Sequence, residues 1–444
     1  MDSSLYSSSS PSTFKQLKVA VVGGGIGGLS AAVSLRRTGH IVMIFERRSF
    51  DVEVGASLSA AANGIQWLLE WGIDISIMRS VALDKFVAVK NCFIRGSVVR
   101  YVKIPADAVF YRKDMHQGLL HTAISEEGKG VPCKIVTDHR SYTGTVTFKN
   151  GRSVTADIIV GAGGIRLFQV CVRKEIGIIP CIQPAPRTCY RCHVSAEDVR
   201  RLGLAEYSLE PAIQFWGGFA GENGRSKYYK VVLTPCSDGD IVAFYCFLPS
   251  EETNHHTEAF EFKEVSPEEI LQGSFKELDS GCVDFLKNSF ERMPWRMYLH
   301  EPYEYWHKAK ACLLGGAAHP MMPHQSQGAC QAIEDAAALG IIFSDKYGFT
   351  NDVEAGLALY EKIRRERATR IQDASSRAME DLNERIGFTN VDPNDPTAAG
   401  DKLTHNEMNE YKMHDQSLSR SALTVSLRRL KVVVRAPQTF CCLS

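Results

Sequence analysis

Three glycines and one acid carry the clearest chemistry in this chain. The apolar run 19–22 leads into Gly23, Gly25 and Gly28, and Glu46 closes the next apolar run, 41–45. Glycines spaced G-x-G-x-x-G between a strand and a helix make an anion site from backbone alone. The first permits the tight turn, the second lets amide N–H groups close on a pyrophosphate, and the third lets the helix pack against the sheet. The helix N-terminus adds partial positive charge. A carboxylate at the tip of the second strand accepts hydrogen bonds from an adenosine ribose and repels a 2′-phosphate. Such a cluster alone marks only a turn. With both strands, the helix pattern 29–37 and the acid in place, it predicts binding of a dinucleotide, FAD or NAD.

Other groups are weaker. Cys189-Tyr190-Arg191-Cys192-His193 has the C-x-x-C-H form used for haem attachment and, in its C-x-x-C part, for redox or zinc sites. No second cysteine pair accompanies it, and its flanks read as a strand. His255-His256 and the pair His319/His324 lack carboxylate or cysteine partners at ligand spacing, so no metal is expected. The 13 cysteines are scattered and read as reduced thiols of an intracellular protein.

A chain of 444 residues suggests two or three domains or one large α/β unit. Lys+Arg 51 against Asp+Glu 51 leaves no net charge, which argues against a nucleic-acid partner. Hydrophobic content of 44% and charged content of 23% are those of an ordinary soluble enzyme. No stretch approaches the length of a membrane span.

The elements that must position these groups follow along the chain. Residues 1–16 form a serine-rich tail. The segment 54–58 precedes a helix ending at Trp71, and another helix begins near Tyr111-Arg112-Lys113-Asp114, with Asp114 as its cap. A hairpin is expected about Asn150-Gly151, and 156–161 is a buried strand. From 180 to 302 strand-like segments alternate with turns, closed by a helix pattern 267–290. Residues 311–315 return to a buried strand. Helices 327–343 and 352–385 follow, the second carrying Arg364, Arg365, Arg367 and Arg370 as a solvated face. The expected domains are 17–179 and 303–390 for the dinucleotide, 180–302 for substrate, and 391–444 as an extension.

Three separated segments together resemble the class A flavoprotein monooxygenases, the para-hydroxybenzoate and salicylate hydroxylase family. They are the Gly23–Gly28 loop with Glu46, the run Ile158-Ile159-Val160-Gly161-Ala162-Gly163-Gly164-Ile165-Arg166, and Leu313-Leu314-Gly315-Gly316-Ala317-Ala318-His319-Pro320 with Gln327-Gly328. The resemblance covers roughly 17–415. It implies an α/β fold: a Rossmann-type FAD-binding domain with an inserted antiparallel-sheet substrate domain and C-terminal helices. It also implies an enzyme in which NAD(P)H reduces FAD and O₂ supplies an oxygen atom to an electron-rich aromatic ring. By resemblance Gly55, Ala56, Arg112, Gly316, Pro320, Gly328 and Ala329 join the glycine loop and Glu46 in holding FAD. Tyr190-Arg191 matches a pair that holds a substrate phenolate, with Tyr229 as a second anchor; for Arg191 a structural salt bridge is the competing reading. Within the family, 243–249 and Trp295 before His300-Glu301-Pro302 are similar to fungal enzymes acting on phenolic polyketides of secondary metabolism.

The chain departs from the family pattern in two places. Gly163 and Gly316 stand where aspartates are usual, which implies weakened FAD binding. This leaves open a catalytically impaired relative, and a flavin dehydrogenase or oxidase is the other rival. Second, the terminus Cys441-Cys442-Leu443-Ser444 has the C-a-a-X form with Arg428, Arg429, Lys431 and Arg435 upstream, as a prenyl anchor requires, although Cys442 is not aliphatic. The expected location is cytoplasmic, with weak membrane association through that tail.

Overall fold

The computed structural model describes residues 14–47, 50, 56–89, 98–137, 145–147, 153–165, 171–205, 211–220, 227–252, 264–271 and 278–379. Gly55, the Asn150-Gly151 turn, His255-His256, the C-terminal extension and its C-a-a-X motif lie outside the described residues.

In chain order the elements are β1 (Lys18–Val22), α1 (Ile26–Arg37), β2 (Ile41–Glu46), β3 (Ser57–Ala60), α2 (Ala62–Glu70), β4 (Val81–Val89), β5 (Val98–Tyr111) and α3 (Arg112–Ile124). Next come β6 (Lys134–Thr137), β7 (Thr145–Thr147), β8 (Ser153–Thr155), β9 (Ile158–Gly161), α4 (Cys171–Ile176), β10 (Ile182–Ser195) and α5 (Ala196–Arg201). They are followed by β11 (Ala212–Ala220), β12 (Lys227–Cys236), β13 (Ile241–Pro249), α6 (Pro267–Ile270), α7 (Ser280–Lys287) and β14 (Phe290–His300). The last are β15 (His307–Lys308), β16 (Ala311–Leu313), α8 (Gly328–Ile342) and α9 (Val353–Arg377).

Two sheets organise the molecule. The first runs β15-β16-β9-β1-β2-β6 and is parallel except at β15. Its central strands β1, β2, β9 and β16 are short, largely apolar runs, as burial on both faces demands. Helix α1 packs against α3 and α8. Its approach to α8 is close enough that a Cβ on Gly340 would strike Ser34, and one on Gly27 would come within 3.1 Å of the Ala332 Cβ. The alanine-rich sequence of α8 is therefore a consequence of contact distance. This is the Rossmann-type α/β half.

The second sheet runs β14-β10-β13-β12-β11-β4-β5-β3 and is antiparallel except between β11 and β4. Three of its strands come from chain before residue 112, so the sheet is not confined to the segment 180–302. One face carries Tyr190, Cys192, Val231, Val242, Phe244 and Cys246 and packs with Phe285 and Leu286 of α7 into a closed apolar core. The opposite face carries Cys189, Phe247 and Met297, packed against Met322 and Met379. It is this inner face that meets the nucleotide-binding half.

The sequence pattern misleads at two helices. The helix expected over 267–290 is interrupted. Ser266 and Glu269 form a capping box for the single turn α6, α7 ends at Lys287, and Ser289 returns its hydroxyl to the Leu286 carbonyl. Phe290 then opens an edge strand along β10, where Pro294 is tolerated because its missing N–H faces no further strand. Helix α3 begins at Arg112 with Tyr111 at its N-cap, not at Asp114; Asp114 instead accepts a 2.8 Å hydrogen bond from the Ser237 hydroxyl.

Candidate active site

The glycine loop makes a tight turn between β1 and α1. Gly23 has φ +114°, and a Cβ there would lie 2.5 Å from the Ala162 carbonyl oxygen, so only glycine fits this turn. A Cβ on Gly28 would strike the Gly23 carbonyl. Gly25, by contrast, faces open space, with nothing within 4 Å of its missing Cβ. It is the N-cap of α1, makes no side-chain cap, and accepts the first helical bond from Leu29 at 2.9 Å. The amides of the first turn therefore open onto empty volume, the arrangement that suits a pyrophosphate. The Glu46 carboxylate lies beside this loop, accepting from the Gly24 N–H at 2.7 Å and from the Arg47 N–H at 2.8 Å. His116 of α3, which the sequence pattern did not single out, braces the loop from behind with a 2.7 Å bond to the Gly24 carbonyl.

A second wall comes from the chain after β16. Gly315–Ala317 forms one 3-10 turn, and Pro323–Gln325 forms another just before α8. Gln327, the N-cap of α8, makes no side-chain cap bond to the helix; its Oε1 accepts from Asn63 of α2 at 3.0 Å. The helix N-terminus carrying Gly328 and Ala329 is thus presented without a capping side chain, suited to an electron-rich ring edge. A Cβ on Gly316 would find its nearest neighbour at 3.6 Å, an ordinary contact, so glycine there is not forced by space. Ala56 accepts a 2.7 Å bond from the Arg112 N–H, which fixes the start of α3 next to β3.

Behind this wall lies a buried ionic lattice that the sequence reading missed. Arg364 is 3% exposed and does not belong to a solvated face. Its Nε donates to Asp335 Oδ1 at 2.7 Å and its Nη1 to Glu334 Oε2 at 2.5 Å. Arg367 grips both Glu334 oxygens, at 2.7 and 2.8 Å, and Asn63 donates to Oε1 at 2.6 Å. Asp335 Oδ2 accepts from His319 Nε2 at 2.7 Å and from the Gly315 N–H at 2.9 Å. Burial alone would raise the Glu334 carboxyl, but Arg367 and Arg364 outweigh it and hold it at about 2. Asp335 is likewise pulled below its usual range, burial being outweighed by His319 and Arg364. The sequence signal was available: Glu334 and Asp335 are charges inside an otherwise apolar helix, and Arg364 recurs on the apolar stripe of α9 with Tyr360 and Ile371.

Across from the two walls, the inner sheet face brings Arg191 onto one row with Tyr245, its β13 partner, and Val232 beyond it. The guanidinium lies 4.1 Å above the Trp295 ring, and its Nε and Nη2 are buried with no hydrogen-bond partner. Burial lowers its pKa, with Tyr245 and Cys189 opposing and Arg112 adding to the effect. No salt bridge to Arg191 exists among the described residues. The Tyr245 hydroxyl is spent: it accepts from the Ser57 N–H at 2.6 Å and donates to the Ser57 carbonyl at 3.0 Å. Tyr229 stands opposite Gly218 in β12, and its side chain lies outside the described residues. The next residue, Lys230, sits on the inner row opposite Phe247, 3.0 Å from His324 Nδ1. A small cleft opens between Trp295, Met297, Tyr298 and His300 on the sheet and Met321, Met322 and Pro323 on the turn. Pro320 leads into that turn and is itself buried.

Cys189 and Cys192 fall in different apolar clusters, on opposite faces of the sheet. Burial raises both thiols, Cys192 to about 12, so the C-x-x-C-H run is a strand and not a redox pair.

Comparison with known proteins agrees with this geometry. The family model described as FAD binding domain matches residues 16–375. The chain belongs to this FAD-binding monooxygenase family. Similar relatives include the FAD-dependent monooxygenase cfoG of Aspergillus candidus, 29% identical over 420 residues, covering 88% of this chain and 92% of that protein. Hispidin-3-hydroxylase of Neonothopanus nambi is 28% identical over 369 residues, covering 79% of this chain and 86% of the relative. Among solved structures, a salicylate hydroxylase substrate complex has the same fold, with a TM-score of 0.68 at 22% identity, covering 93% of this chain and 97% of the other. As a member of this family the chain is an FAD-dependent monooxygenase of aromatic substrates. The residues present fit FAD: a glycine loop with open space at Gly25, a carboxylate beside it, and a helix α8 whose N-terminus has no side-chain cap.

Two outcomes follow for this site. Gly316→Asp adds a charge-assisted acceptor where space allows one, so FAD should bind about ten- to a hundredfold more tightly, measured by fluorescence titration of the apoprotein. Unchanged affinity would show that position 316 does not reach the cofactor. The depressed Glu334 and Asp335 also set a pH dependence. Their contribution is complete above the range in which unfolded carboxylates titrate, roughly pH 4, and is lost as the pH falls toward 2. Urea denaturation midpoints of Arg364→Met should therefore respond less to pH between roughly 5 and 3 than those of the native chain.

Proposed function

We propose that this enzyme uses NAD(P)H and O₂ to hydroxylate a phenolic small molecule bound in the cleft between the inner sheet face and the Met321–Pro323 turn. Simple, decarboxylative and dearomatising outcomes all fall within this class, and the resemblance carried by residues 243–249 and Trp295 is the ground for proposing a polyketide-derived intermediate of secondary metabolism. FAD, when bound, supplies the electrophilic oxygen.

One observation carries the reading. Arg191 is a permanent cation whose Nε and Nη2 are desolvated and unmatched, stacked on Trp295 at the edge of an apolar cleft. A phenolate would satisfy those donors, and binding the anion lowers the phenol pKa on the protein. The ionised ring is the better nucleophile, so the arginine that binds the guest also activates it. Trp295 and Met297 with Met322 supply apolar walls that exclude water from the ring. Tyr245, fully engaged by Ser57, orients this face and donates nothing to the guest. Lys230 is proposed as the inner-row cation of β12; Tyr229, expected from the resemblance as a second anchor, is one residue earlier and falls on the other row, with Val231.

Removal of the charge tests this. Arg191→Gln is expected to weaken binding of phenolic ligands by about ten- to a hundredfold while leaving FAD content intact. It should also abolish the phenolate absorption of a bound phenol below its solution pKa. Retention of both would sink the phenolate reading. The reaction itself is checked by phenol-stimulated NAD(P)H oxidation with added FAD and product masses showing one added oxygen.

No helix among the described residues is long and apolar enough to cross a membrane. A cytoplasmic enzyme tethered weakly through a prenylated Cys441 is proposed for its location. The intact mass after expression in a eukaryotic host should then show loss of the last three residues and a prenyl adduct; an unmodified Ser444 terminus excludes the tether.

A further inference from the structure

We infer that Asp335 is the positioning residue of the FAD site, setting the spacing between the Gly315–His319 turn and the N-terminus of α8. The carboxylate is fully buried and touches neither the glycine loop nor the cleft. Its Oδ2 receives the Gly315 N–H at 2.9 Å and His319 Nε2 at 2.7 Å, so the first and last residues of the turn converge on one oxygen. Within the turn, the Ala318 and His319 amides return to the Gly315 carbonyl at 2.8 and 2.9 Å. The turn is thus a closed ring hung on Asp335. Oδ1 is held at 2.7 Å by Arg364 of α9, which stops the carboxylate from rotating. Asp335 itself belongs to α8, so the ring is referenced to the helix that begins at Gly328 without a side-chain cap.

Position 316 makes this placement matter. With glycine there the turn offers a cofactor only backbone groups, and backbone groups reach only as far as their anchor places them. A buried ion pair adds little net stability compared with a well-packed apolar replacement. What the carboxylate adds is a defined geometry, and its loss is expected in ligand affinity beyond any loss in folding.

The test uses the full-length apoprotein and FAD alone, titrated at a temperature at which circular dichroism shows each variant folded. Asp335→Asn should raise the FAD Kd by at least about tenfold, the share of one charge-assisted hydrogen bond. The bound flavin's visible band should also move toward that of free FAD. His319→Gln, which frees one end of the turn, should give a smaller rise. Gly316→Asp added to Asp335→Asn should recover part of the loss, because a side-chain anchor makes the turn less dependent on its backbone support. An unchanged FAD Kd in folded Asp335→Asn, or in His319→Gln if the first variant does not fold, overturns the assignment and leaves the carboxylate a purely structural group.

Discussion

The structure depends on keeping charge inside a closely packed α/β core. Glu334 and Asp335 occupy consecutive positions on α8, a helix that packs closely on α1 where Gly340 meets Ser34 and Ala332 meets Gly27. Two carboxylates in that position are tolerable only because Arg364 and Arg367 arrive from α9 and because Asn63, Gln331, His319 and the Gly315 amide occupy the remaining lone pairs. The lattice joins α2, α8, α9 and the turn after β16 into one unit. Both carboxylates are bonded at both oxygens, while Asn63 Oδ1 and His319 Nδ1 are buried without a partner among the described residues.

The mixed sheet meets this unit with one face only. Its outer face is a sealed hydrophobic layer against α7, where Phe244 and Phe285 stack at 5.6 Å, while its inner face carries Arg191, Lys230 and Tyr245 among methionines and aromatics. The asymmetry is what allows polar side chains to face a cleft without undermining the fold. Because side chains alternate along a strand, shifting any register by one residue would exchange the two sets. The face that carries Arg191 is therefore fixed by the same hydrogen bonds that fix the core.

Much of this was legible in the sequence, for particular reasons. Gly23, Gly25, Gly28 and Glu46 announce their site because the turn and the pyrophosphate impose backbone requirements that few sequences meet by chance. The buried strands 158–161 and 311–313 are legible as short apolar runs bounded by glycine. The break of the helix pattern at 287 and the conversion of 290–300 to a strand were not legible, since edge pairing with β10 overrides local periodicity. Arg364 was misread because a guanidinium looks the same in sequence whether water or two carboxylates surround it.

The sequence by itself determined the dinucleotide cradle, the α/β class and the identity of the cation on β10, because each is written in residues near one another in the chain. Only the tertiary structure decided that Asp335, His319 and Arg364 share one carboxylate, and that Arg191 lies unmatched over Trp295. Those facts join residues far apart along the chain, and whether a charge is paired, buried or solvated is a property of the space around it, which no local pattern encodes.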